Sequence, residues 1–423
     1  MTTAPAAVPL VARTVAVPDP GPLLDALPRQ GGLAWVRRGE GLVAWGEAAR
    51  IETEGPERFA DAGRAWGELA GHAVVRDDVG LPGTGPVAFG SFAFAASSQV
   101  GGVLIVPRVV LGHRGDQWWL TSIGLGAVVP PLPDPLSPVP AGPPATSPGV
   151  VTYTDGARSA RSWTAAVADA IERIGEGDVE KVVLARDLHA RTEADIDPRW
   201  LLARLARRYP GCWTFDVDGL VGATPELLVR REKGMVTSRV LAGTIRRSGD
   251  DASDLALAGS LARSSKDLEE HEYAVRSVAD ALAPHCATTN VPESPFVLHL
   301  ANVMHLATDV TGVLADGTTS LELAADLHPS AAVCGTPTAA AAALIEGIEG
   351  MDRDRYAGPV GWMDAGGDGE WGIALRCARL DPADPRSARL FAGCGIVAGS
   401  DPRAELAESA AKLLPMREAL GSL

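Results

Sequence analysis

The sequence has no excess of positive charge, no paired cysteines and no long unbroken apolar run, and each absence removes a class of function. Its 38 Lys and Arg stand against 53 Asp and Glu, for a formal net charge of −15. Nucleic acids and acidic membrane surfaces are held by clustered Lys and Arg, so neither is expected as a partner. A small anionic substrate stays open, provided that local charges or a metal overcome the global field. The five cysteines, Cys212, Cys286, Cys334, Cys377 and Cys394, are scattered and form no C-x-x-C pair. That excludes a disulfide framework or a zinc site and predicts buried, reduced thiols in a cytosolic protein. Residues 1–20 lack a continuous apolar core, which argues against a signal peptide. The most apolar stretch, residues 86–111, is broken by Ser97, Ser98, Gln99, Gly101, Gly102 and Arg108. It suits a pair of buried strands better than a membrane span. A soluble, cytoplasmic protein is expected.

What is present points to a large folded body. The 423 residues, 46% of them hydrophobic, suffice for a sizeable core and for two or three average domains or one large α/β unit. Residues 130–148 hold nine prolines and predict an extended, semi-rigid connector. Residues 1–129 are accordingly expected to form an N-terminal part of the body, 130–150 the connector and 151–423 the catalytic region. Short strand-like runs, such as 103–106 and 118–123, recur at hairpin spacing before the connector. After it, helical patterns cover residues 162–175, 201–209, 264–282 and about 400–420, with strands at 181–185, 212–217 and 220–231. Ser264 and Ser265 offer an N-cap, and Pro402 suits an early helical position. Pro415 should kink the last turn of the final helix. Strands and helices are mixed rather than alternating, so the fold class is α+β with antiparallel sheet.

Several polar residues interrupt apolar patterns. Lys181 lies in an apolar strand, either as an edge gatekeeper or as a buried amine able to take a proton from water. Glu226 opens an apolar strand after Thr224 and Pro225, as a solvated strand end or as a general acid whose pKa burial raises. Glu270 lies in an acidic first part of its helix, on a stripe with the small residues Ala274, Ser277 and Ala281. On the last helix Glu405, Glu408 and Lys412 share a face. With Glu270 these carboxylates form a plausible set of hard oxygen ligands for Mg2+. The run Phe391-Ala-Gly-Cys-Gly is followed by too little chain for a dinucleotide-binding unit. Its bare N–H groups at Gly393 and Gly395 could instead face an anion. Arg376, alone among apolar neighbours, is a second candidate carboxylate grip. His305 and His328 lack partners at metal-ligand spacing and read by pattern as structural histidines.

In chain order these features resemble the chorismate-utilising enzymes, which include the isochorismate, salicylate, anthranilate and aminodeoxychorismate synthases. The resemblance rests on Glu180-Lys-Val-Val-Leu-Ala-Arg186, Gly222-Ala-Thr-Pro-Glu-Leu-Leu228 and Leu241-Ala-Gly-Thr-Ile-Arg-Arg247. It continues in Ser265-Lys-Asp-x-x-Glu-His271, His328-Pro-Ser-Ala-Ala-Val-Cys-Gly335, Gly358-Pro-Val-Gly-Trp362 and the stretch from Leu390 through Lys412. The resemblance covers residues 163–420, about 60% of the chain, and rests on these seven motifs in order. The resemblance implies two packed antiparallel sheets flanked by helices, with the active site in the cleft between them. It implies Mg2+ on Glu270 and Glu408, with Glu405 close by, Lys181 as the base and Glu226 as the acid. Gly243, Thr244, Arg376, Gly393, Gly395 and Lys412 match positions that hold the two substrate carboxylates, and His305 a histidine near the ring. Ala242 departs from the lysine of aminodeoxychorismate synthases, and Lys181 from the glutamine of anthranilate synthases. The pair Ala332-Val333 matches the small aliphatic residues of the isochorismate-forming branch. The implied reaction is water attack at C2 of chorismate with loss of the C4 hydroxyl, without a glutaminase subunit and by a monomer. Salicylate formation, by further loss of pyruvate, and a silent chorismate-binding homologue are the alternatives. Cys334 and Cys394 depart from the family pattern and are expected to be neutral.

Overall fold

The computed structural model describes residues 9–126 and 144–421. Most of the proline-rich connector expected at 130–150 therefore lies outside the described residues. Residues 144–150 carry no helix or strand.

Two large sheets, of 13 and 10 strands, make up the body, and helices cover them. Pairing is antiparallel, as the sequence predicts, except that Leu10–Ala16 runs parallel to Val74–Asp77. Strands from before and after the connector share both sheets: Gly32–Arg37 pairs with Trp213–Val217, and Val87–Phe92 with Pro359–Asp364. The apolar stretch 86–111 holds not two strands but three, Val87–Phe92, Gly102–Val106 and Val109–Arg114. The first two pair with each other, and the third belongs to the other sheet.

Aromatic side chains fill the space between the sheets. Trp35 and Trp213 of the larger sheet and Trp371 of the smaller are each at most 1% exposed. Full burial of a Leu- to Phe-sized side chain contributes about 1.5–3 kcal/mol, and an indole removes still more apolar surface from water. The sheets touch at Gly372, where a Cβ would come 2.8 Å from the Trp35 ring. Both indole N–H groups, of Trp35 and Trp213, donate to Oε2 of Glu370 at 2.8 and 3.0 Å, so burial leaves neither unpaired.

The strand Lys181–Thr192 is buried on both faces over its first eight residues and alternates only near its end. It is a central strand there, paired with Ser387–Ile396 on one side and Gly335–Thr336 on the other. The gatekeeper reading of Lys181 fails, since gatekeepers protect edges. Two helices begin where their caps predict, while those expected at 162 and 201 start earlier, at Ala160 and Pro198 behind the caps Ser159 and Asp197. Ser264 Oγ accepts the Asp267 N–H ahead of Ser265–Leu282, and Asp401 Oδ1 accepts from Arg403 and Ala404 ahead of Pro402–Leu420. The last helix continues through Pro415 to Leu420. Among the described residues no helix is long and apolar enough to cross a membrane.

Candidate active site

The chain passes between the sheets at two adjacent points, and each crossing carries a candidate residue. Glu226 lies between Leu220–Thr224 of the larger sheet and Leu227–Glu232 of the smaller. Arg376 lies on the return crossing, between Gly369–Ile373 and Cys377–Leu380. Arg376 has φ +50, a left-handed backbone unusual for a residue with a side chain. Strain of this kind is held by its surroundings and gathers at functional sites. Glu226 and Arg376 face a cavity of about 270 Å³. That volume suits a small molecule rather than a polymer.

Two glycine-bearing strands build further walls. Gly393 and Gly395, two apart on Ser387–Ile396, turn bare backbone toward the cavity. A Cβ at 395 would lie 2.7 Å from Glu270 Oε1 and 3.1 Å from Lys181 Cε, so only glycine leaves those groups room. On the facing sheet the pairing of Met235–Arg246 with Val303–Leu314 is shifted by a bulge between Ala242 and Thr244. Gly243 there adopts φ +76, which glycine reaches without cost. Thr244 and His305 oppose each other, with Thr244 Oγ1 3.0 Å from His305 Nδ1. The same Nδ1–H donates to the Gly243 carbonyl at 3.3 Å. Burial and the nearby Arg376 hold the imidazole neutral, well below its usual titration range. Its Nε2 is buried and makes no hydrogen bond among the described residues, which leaves an acceptor for a ligand hydroxyl.

The titratable groups fall into a buried carboxyl, a buried amine and an anionic cluster. Glu226 is 5% exposed, and burial raises its carboxyl to about 8 against the opposing pull of Lys181, Lys412 and Arg376. It is protonated at neutral pH. Lys181 is 1% exposed, and its Nζ lies 3.0 Å from Glu270 Oε1. It stands behind Glu270 rather than on the cavity wall itself. On the C-terminal helix, Lys412 Nζ pairs with Glu408 Oε1 at 2.7 Å and donates to the Gly393 carbonyl at 3.0 Å. The guanidinium of Arg376 has no ion pair within 4.0 Å among the described residues, and burial lowers its pKa. An anionic ligand would supply the missing partner.

Glu405, Glu408 and Cys394 bring one ligand atom each to within 4.8 Å of the others. Burial raises the Cys394 thiol far above its usual range, and its S–H points to the Glu405 carbonyl at 3.3 Å. The thiol therefore stays protonated, and the donors left for a cation are hard carboxylate oxygens. Glu270, against Gly395, is a third carboxylate on the same cavity wall, outside that 4.8 Å group. This donor set fits Mg2+, which favours carboxylates together with substrate oxygens and water.

Apart from Lys181, which reaches the site through Glu270, and His328, the residues singled out in the sequence all line this cavity, Ala332 and Val333 included. Cys394 has its Sγ within 4.8 Å of a carboxylate oxygen of Glu405 and of Glu408. Cys286 is half-buried rather than buried. His328 keeps its structural reading, with Nε2 bonded to the Phe94 carbonyl at 3.0 Å. Asp267, Arg353 and Tyr356 also line the cavity, and sequence reasoning missed them. Asp267 and Tyr356 sit inside or beside quoted motifs, and Arg353 follows Glu349 at helical spacing, but none interrupts an apolar pattern.

A fold of two crossed-over sheets with this cleft between them defines a class. The family model described as chorismate binding enzyme matches residues 28–125 and 141–421. The chain belongs to the chorismate-binding enzyme family. It is 43% identical over 267 residues to the isochorismate synthase DhbC of Bacillus subtilis, covering 60% of this chain and 66% of that protein. It is 35% identical over 413 residues to the salicylate biosynthesis isochorismate synthase of Pseudomonas aeruginosa, covering 92% and 85%. Among solved structures, MenF, the menaquinone-specific isochorismate synthase of Escherichia coli, superposes with a TM-score of 0.79 at 25% identity, covering 98% and 95%.

Proposed function

We propose that the protein is an isochorismate synthase, an isomerase that moves the hydroxyl of chorismate from C4 to C2. The observation that carries the reading is a protonated acid, Glu226, on the wall of the cleft between the sheets, with a buried amine, Lys181, set just behind Glu270 of the same cleft. Similarity over 92% of the chain to a salicylate biosynthesis isochorismate synthase supports it.

The substrate is a dianion in a protein of net charge −15, so its carboxylates need local cations. Arg376 and Lys412 supply them, with the backbone N–H groups around Gly243, Gly393 and Gly395. Glu270 and Glu408, with Glu405 close by, would hold Mg2+, which when bound draws electron density from the ring carboxylate. Lys181 takes a proton from the attacking water as its oxygen bonds to C2. Glu226 gives a proton to the C4 hydroxyl, which leaves as water. One water enters and one departs. His305 accepts a hydrogen bond at Nε2 and orients the ring. Ala332 and Val333 supply a small aliphatic wall with no hydroxyl to engage the side chain of the ring, which suits a reaction that stops at isochorismate. The enzyme acts as a monomer without a glutaminase subunit, and its product enters menaquinone or siderophore synthesis.

Conversion in oxygen-18 water tests the route. The account predicts one labelled oxygen, at C2 of isochorismate. Unlabelled product would contradict attack by solvent water.

A further inference from the structure

One edge of the Lys181 strand loses its neighbour partway along, and side chains complete it. The short strand Gly335–Thr336 pairs with Lys181 and Val182, and the Val183 N–H still reaches the Cys334 carbonyl at 2.7 Å. Beyond that point the same edge meets three side chains. Arg353 donates to the Val183 carbonyl at 2.7 Å. Glu349 Oε1 accepts the Ala185 N–H at 2.7 Å, and the Trp163 indole donates to the Ala185 carbonyl at 3.0 Å. A buried backbone without such partners would be costly, so these groups stand in for a missing strand.

Arg353 does a second thing with the same planar group. Its other terminal nitrogen donates to the Val333 carbonyl at 2.8 Å, and Nε donates to Glu349 Oε2 at 2.9 Å. The pair is buried, with Glu349 2% and Arg353 3% exposed. One guanidinium therefore ties the strand that carries Lys181 to the segment that carries Ala332 and Val333. Val183 and Val333 both line the cavity. A lysine could not span both carbonyls and the carboxylate with one point charge.

We propose that Arg353, braced by Glu349, is a positioning residue that fixes the aliphatic wall relative to the base and so sets how cleanly turnover stops at isochorismate. The inference rests on the function proposed above. Loosening the tie lets the bound ring shift against Lys181, which slows the hydroxyl exchange and lets more of the product eliminate: the bond from C3 to the enolpyruvyl oxygen breaks, the C2 hydrogen passes to the enolpyruvyl methylene, and pyruvate leaves with salicylate as the ring product.

The test compares the parent enzyme with Arg353→Lys and with the double variant Arg353→Met/Glu349→Gln. The double variant removes both buried charges and keeps an acceptor for Ala185, a replacement that buried ion pairs often tolerate. Thermal midpoint, kcat, KM for chorismate and pyruvate released per isochorismate are measured on each. In folded variants the expectation is a kcat lower by about 10- to 100-fold, a KM within about threefold of the parent, and a raised pyruvate ratio. Folded variants with the parent's kcat and product ratio would overturn the proposal. So would loss of folded protein in both, which would make the role structural alone. A parent enzyme that forms no isochorismate would instead overturn the function on which the inference rests.

Discussion

Glu226 and Arg376 are backbone neighbours on the two crossings between the sheets: the Ile373 N–H meets the Glu226 carbonyl at 3.2 Å, and the Ala223 N–H meets the Arg376 carbonyl at 3.3 Å. The connections that hold one sheet against the other thus also hold the proposed acid and the proposed carboxylate grip. Their separation is set by sheet packing rather than by a loop, which suits a site whose geometry must not drift.

The protonation of Glu226 gives a pH signature. Its carboxyl titrates at about 8 in the folded protein, so the acid form is lost as pH rises through that value. The alkaline limb of kcat/KM should fall there, and Glu226→Gln should lower kcat by about 10²–10⁴-fold and abolish the limb. The folded-state pKa lies above the ordinary 4.5, so this group's contribution to stability is full below about pH 4.5 and lost as pH climbs through about 8. Glu226→Gln should flatten that part of the stability profile, read by denaturant titration at several pH values. An unmoved alkaline limb in the variant would remove Glu226 as the acid.

Lys181→Met keeps the volume of the buried side chain and removes the amine. Turnover should fall by about 10²–10⁴-fold. Divalent cation binding, measured by calorimetry, should not weaken, because the Glu270 carboxylate stays in place and loses only the amine 3.0 Å from it. A near-parental kcat would mean that the base lies elsewhere.

The carboxylates are separable by metal titration. Glu270→Gln and Glu408→Gln should each raise the Mg2+ concentration for half-maximal activity by about tenfold or more. Removing Glu408 also strips Lys412 of its 2.7 Å partner, so KM for chorismate should change in that variant as well. A titration identical to the parent's would exclude the residue as a ligand.

Ala332→Thr places a hydroxyl on the cavity wall. The ratio of isochorismate to side products should shift, as seen by chromatography of the reaction mixture. An unaltered ratio would show that this wall does not choose the product.

How much of this was legible in the sequence depended on where each residue's partners lie. Lys181, Glu226 and Arg376 interrupt apolar patterns, and an interruption is visible in one dimension. Glu270, Glu405 and Glu408 were visible through helical spacing and the resemblance together. Gly243 was visible only as part of a motif, since the bulge it allows arises from pairing with a strand some sixty residues on, at His305. Arg353 was not legible at all. Its acceptors are backbone carbonyls at Val183 and Val333, and backbone acceptors leave no trace in residue type. Cys394 looked bland for a similar reason, because its contact is with the Glu405 carbonyl. In the fold, the antiparallel α+β class followed from the mixed periodicity. The split of residues 86–111 between two sheets did not, because alternation within a strand says nothing of which sheet it joins.

The central claim is the reaction itself. The purified protein is incubated with chorismate, with Mg2+ in one sample and EDTA in another, and the products are separated by chromatography. Isochorismate approaching an equilibrium mixture with chorismate, and lost in EDTA, is the predicted result. Salicylate with pyruvate as the main products, or chorismate left unconverted with Mg2+ present, would contradict it.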